Sequence, residues 1–108
     1  MAMSAQMAEF CELLEHDPDK VRHVARVFYR GVAADLQRLE GAAAANEWQL
    51  VSELSQRIHS VCLQLSEHDG ASVAAELRQV AGERFAAAYA RHRPVIAELL
   101  SHSEDFEH

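Results

Sequence analysis

Cysteine, proline, glycine and aromatic residues are all scarce in this 108-residue chain, and each shortage excludes something. There are two cysteines, two prolines, four glycines and 6% aromatic residues. With Cys11 and Cys62 at unrelated positions in helical patterns, no Cys-x-x-Cys pair exists, which argues against a zinc knuckle or dithiol redox site. They read as free thiols, which predicts a cytoplasmic setting. So few glycines and prolines leave little room for the turns of a many-stranded β fold. No apolar run approaches the roughly 20 residues of a membrane span, and no basic region followed by an apolar stretch marks a signal peptide. Gly-rich phosphate loops, Ser-x-x-Lys patterns and Glu-x-x-His motifs are absent; the last absence argues against a di-iron bundle.

What is present is apolar, helical and acidic. Apolar residues make up 49% of the chain, enough for the core of one domain, residues 1–108. Against ten Lys and Arg stand seventeen Asp and Glu, a net charge of −7. Such a surface repels phosphate backbones and anionic lipid, so a protein partner is expected rather than nucleic acid or membrane.

Periodicity predicts an all-α chain. A short first helix spans residues 4–15, with Ser4 as cap and Met7, Phe10, Cys11 and Leu14 on one stripe. Asp17 before Pro18 signals the start of a long helix over residues 18–43, with Val21, Val24, Ala25, Phe28, Val32, Leu36 and Leu39 on its apolar face. Asn46 is expected to cap a helix over residues 47–67, whose seam is Val51, Leu54, Ile58, Val61 and Leu65. Asp69-Gly70 reads as the turn that ends it. Gly70 or Ser72 then opens a segment carrying Val73, Leu77 and Val80, and Gly82 breaks it. The last segment, residues 83–101, carries Phe85, Tyr89, His92, Ile96 and Leu99, with a kink near residues 91–93 forced by Pro94. Residues 103–108 read as a frayed polar tail. Short connections between long helices predict an antiparallel up-down four-helix bundle with one short additional N-terminal helix.

His59 is the most informative side chain. It lies off the apolar seam, and its helical neighbours are Ser52, Ser55, Gln56, Cys62, Leu63 and Ser66. An accessible imidazole is a competent nucleophile and can carry a phosphoryl group on nitrogen. A plain surface histidine fits the same pattern. Glu12 with His16, and Glu98 with His102, have the spacing of helical metal-ligand pairs but lack further ligands.

The chain resembles the histidine-containing phosphotransfer (HPt) domains of two-component phosphorelays over nearly its whole length. The run FCELLEHDPDKVRHVARVF, residues 10–28, looks like the family opening: an apolar helix, an Asp-Pro turn, then a long helix with an early phenylalanine. The family's His-x-Leu-Lys-Gly, followed a few residues on by Gly-Ala, matches His59-Ser60-Val61-Cys62-Leu63 and then Gly70-Ala71. Cys62 stands where the family has lysine, Leu63 stands where it has glycine, and the spacer to Gly70 is longer.

The resemblance implies a phosphocarrier rather than an enzyme. His59 would accept a phosphoryl group from a receiver-domain aspartate and pass it to another receiver. Its partners would be a response-regulator receiver domain or a hybrid sensor kinase. It would hold no cofactor, the Mg2+ ion sitting on the receiver. Ser55, Gln56, Arg57, Ser60, Arg78 and Gln79 are candidate donors around the phosphoryl group, beside Cys62. Leu63 is a docking contact, a shield over the histidine, or partly core. The alternative implied is a docking or regulatory module of the same fold that has lost transfer.

Overall fold

The computed structural model describes residues 17–80 and 82–105, and among them every regular element is helical. The helices are α1 (Pro18–Ala44), α2 (Trp48–Gln64), α3 (His68–Gln79), α4 (Glu83–Arg91) and α5 (Arg93–Asp105). The all-α expectation holds. The short helix predicted for residues 4–15, with Cys11, lies outside the described residues. No described helix is long and apolar enough to cross a membrane.

Asp17 caps α1 as its position before Pro18 predicts. Its carboxylate accepts the backbone N–H groups of Asp19 and Lys20, at 3.0 and 3.3 Å, and so satisfies donors that the first helical turn leaves open.

The next two joints differ from the sequence reading and resemble each other. Asn46 does not cap α2; it is the left-handed residue that closes α1, with φ 58°. Its N–H donates to Ala43, and the N–H of Glu47 reaches back to Ala42 at 2.9 Å. The second joint repeats this pattern at Ser66 (φ 61°), with Ser66 N–H donating to Leu63 and Glu67 N–H to Cys62 at 2.8 Å. Both are Schellman closures, in which one left-handed residue satisfies two terminal carbonyls. The chain therefore reverses at Ser66, and Asp69-Gly70 lies inside the first turn of α3.

Pro94 splits the last predicted segment into α4 and α5, with the break at His92. Proline has no N–H to donate to the Ala90 carbonyl four residues back; the His92 N–H turns to Ala88 and Ala90 instead, and Val95 and Ile96 N–H start α5 on the His92 carbonyl, at 3.1 and 3.2 Å. Of the frayed tail expected over residues 103–108, residues 103–105 are helical, and residues 106–108 lie outside the described residues. α5 runs to Asp105 and Ser103 is buried, because this last turn packs His102 against Tyr29 and Glu67.

The core joins Val32, Leu36 and Leu39 of α1 to the seam Val51, Leu54 and Ile58 of α2, with Leu77 of α3, Phe85 of α4 and Leu99 of α5. Burial of this apolar area is the main stabilising term. Polar ties fix how the helices meet. Asp35 of α1 pairs with Arg57 of α2, Glu76 of α3 with Arg91 and His92, and Tyr89 of α4 donates to Glu40 of α1.

Candidate functional site

α2 presents its apolar seam to the core and sets His59 at the margin, where the ring is half-buried. Two contacts fix the rotation of α2 at this level. On one side Arg57 reaches Asp35, Nε to Oδ2 at 3.3 Å. On the other, His59 Nδ1 lies 2.9 Å from the carbonyl oxygen of Ala71, in the first turn of α3.

That second contact decides the chemistry of the ring. A carbonyl oxygen can only accept, so Nδ1 carries the proton and donates it to Ala71. In the neutral imidazole the lone pair then belongs to Nε2, and one proton-bearing nitrogen is anchored to the backbone. The result is a fixed nucleophilic nitrogen on a rigid helix.

The predicted supporting residues divide into two groups. Gln56, Ser60, Leu63, Arg78 and Gln79 are exposed. Gln56 and Leu63 lie three residues before and four after His59, so the three share one strip of α2. From α3, Arg78 donates to the Gln56 side-chain oxygen at 2.5 Å, which brings a guanidinium to the same strip. Leu63 is 37% exposed, at the margin between surface and core. Arg57 is taken up by Asp35.

Ser55 and Cys62 do not belong to the site. Both are fully buried, on the side of α2 that turns inward. The Ser55 hydroxyl is buried with no hydrogen-bond partner among the described residues, so it does not serve as a donor beside His59. Burial, and then the charge of Glu67, push the Cys62 thiol up to about 12. It is a neutral packing group at neutral pH. The correction has a simple cause: residues 55 and 62 are four before and three after His59, and the core boundary runs between them and the strip of Gln56 and Leu63.

Sequence reasoning missed three features. The first is the Ala71 carbonyl, a backbone group with no side-chain signature. The second is the polar cluster of Tyr29, Glu67 and His102. The Tyr29 hydroxyl donates to Glu67, His102 Nδ1 lies 2.8 Å from the same carboxylate oxygen, and Glu98 stands 3.8 Å from His102 Nε2. Burial first, then the bond to Glu67, raise the Tyr29 phenol above its ordinary range. The third is His92, which meets Glu76.

Among the described residues no group of three or more His, Cys, Asp or Glu side chains is disposed to hold a metal ion. A cleft of about 690 Å³ opens between the end of α1 and α4 over Trp48, Phe85 and Tyr89, and His59 does not line it. No family model matches this chain, and neither a curated protein nor a solved structure is significantly similar to it.

Proposed function

We propose that this chain is a phosphocarrier of the HPt kind and that His59 Nε2 is the phosphoacceptor. In this reading α1, α2, α3 and the broken pair α4–α5 form an up-down four-helix bundle. The ties Asp35–Arg57, Glu76–His92 and Glu40–Tyr89 fit that arrangement. The observation that carries the function is the bond from His59 Nδ1 to the Ala71 carbonyl, which leaves Nε2 with the lone pair.

The reaction asks little else of the carrier. The Nε2 lone pair attacks the phosphorus of an aspartyl phosphate on a receiver domain. The phosphorus–oxygen bond breaks, the aspartate leaves as a carboxylate, and the receiver supplies the Mg2+ ion that stabilises it. Positive charge appears on the ring as the nitrogen–phosphorus bond forms, and the Ala71 carbonyl sits against the N–H that shares this charge. Arg78, held by Gln56, supplies a cation at the strip in place of a side chain from position 62. An acidic carrier of this kind works in the cytoplasm, where receiver domains and kinases are found.

A second reading has one specific observation in its favour. Leu63 is an exposed apolar residue one turn from His59, suited to docking a receiver or kinase domain without transfer. Incubation with a phosphorylated receiver domain separates the two. The phosphocarrier takes label on wild type and none on His59→Gln. Binding of the receiver with no label on either protein establishes the docking module instead.

A further inference from the structure

Gly70 and Ala71 lie in the first turn of α3, and one is the reason the other can reach His59. A Cβ placed on Gly70 would stand 2.9 and 3.1 Å from the two methyl carbons of Leu99 and 3.1 Å from Cys62 Sγ. Both neighbours are buried, at 4% and 0% exposure. Contact comes from three atoms on two helices, so no single rotamer change clears the space. α3 therefore sits closer to α2 and α5 than a side chain at residue 70 allows without displacing Leu99 and Cys62. Ala71, the next residue, presents its carbonyl to His59 Nδ1 from this close position.

We infer that Gly70 is a positioning residue for His59: its missing side chain seats α3 so that the Ala71 carbonyl holds the Nδ1 proton and keeps Nε2 as the nucleophile. The consequence for phosphoryl transfer rests on the phosphocarrier reading; the consequence for the ring does not. An unanchored imidazole divides its proton between two nitrogens, and only one tautomer presents a lone pair at Nε2. The seat thus acts twice. It selects the reactive tautomer before transfer, and it receives the N–H as the ring gains positive charge. Gly41, by contrast, has open space around it, so no such role attaches to it.

The experiment reads the tautomer directly. Long-range nitrogen–proton spectra of the 15N-labelled chain are recorded at about pH 8.5, where an ordinary imidazole is neutral. Wild-type His59 shows a protonated Nδ1 and an unprotonated Nε2. Gly70→Ala pushes α3 outward and gives a mixture of tautomers. Phosphoryl uptake from a phosphorylated receiver then falls roughly fivefold, the factor that one net hydrogen bond carries. Leu99→Ala in the Gly70→Ala background removes two of the three obstructing atoms, the closest among them, and returns the ring to a predominantly wild-type tautomer. A merely structural role would make the double variant worse. Should Gly70→Ala not fold, the double variant must fold with Nδ1 protonated. The inference is overturned by a wild-type ring protonated on Nε2, by an unchanged tautomer in a folded Gly70→Ala, or by a double variant that does not recover. A wild type with the expected tautomer that takes no phosphoryl group sinks the phosphocarrier reading and leaves the seat standing.

Discussion

Replacing Arg57 by Gln removes the cation nearest a carboxylate that folding has taken out of water. The Asp35 side chain is 7% exposed, and its partners Arg57 and Arg38 stand at 3.3 and 3.7 Å with side chains more than half exposed. The pair is therefore lopsided: the buried member needs its partner, and the exposed members do not. Arg57→Gln leaves Asp35 with the more distant Arg38. Discounted for the exposure of the arginine, the cost is about 1–2 kcal/mol. Asp35→Leu instead removes the charge that needs compensation and returns two arginines to water, which holds its effect within about 1 kcal/mol. In the Asp35→Leu background, Arg57→Gln adds nearly nothing, because the carboxylate it pairs with is gone. Urea unfolding followed by circular dichroism at neutral pH measures all four proteins. A cost for Asp35→Leu larger than that for Arg57→Gln, or equal costs for Arg57→Gln in both backgrounds, refutes the reasoning.

Acid titration is expected to act through Glu76, whose carboxyl the hydrogen bond from His92, and then the charge of Arg91, hold below its usual range. A depressed folded-state value means stabilisation that is present above the ordinary carboxylate range and is lost as pH falls through the lowered value. Urea midpoints of wild type and Glu76→Gln therefore differ at neutral pH and converge in acid. Cys62→Lys, which would install the family's lysine, places an ammonium in a fully buried position. It lowers stability by roughly 3 kcal/mol or more, visible in the same urea assay, rather than restoring charge at the site. Asn46→Ala puts a side chain with no local hydrogen bond at φ 58°, and a loss of about 1 kcal/mol is expected in Tm measurements.

Much of the fold was legible because helical periodicity reports directly on burial. The α2 seam of Val51, Leu54 and Ile58 steps by threes and fours and is buried, and the Asp17-Pro18 start carries its own capping chemistry. The joints were misread because turn residues serve more than one geometry. Asn is favoured both before a helix and in the left-handed position after one, and only the backbone at residue 46 tells which. Asp-Gly signals a turn in isolation. Here Ser66 had already reversed the chain, Asp69 suits the positive end of α3, and Gly70 answers to a packing demand from Leu99 that local sequence does not record. The same limit governs the site. His59 stands out by its place beside the seam, but helical spacing alone gave Ser55 and Cys62 the same standing as Gln56 and Leu63. The packing of α3 and α5 decides which side of His59 faces inward.

The most direct test asks which nitrogen of which histidine bears phosphorus. The 15N-labelled chain is phosphorylated by a receiver domain, and phosphorus–nitrogen coupling is read over all seven histidines. The account predicts a single phosphorus bonded to His59 Nε2, with Nδ1 still protonated. Phosphorus on Nδ1, or on any other histidine while His59 stays free, contradicts it.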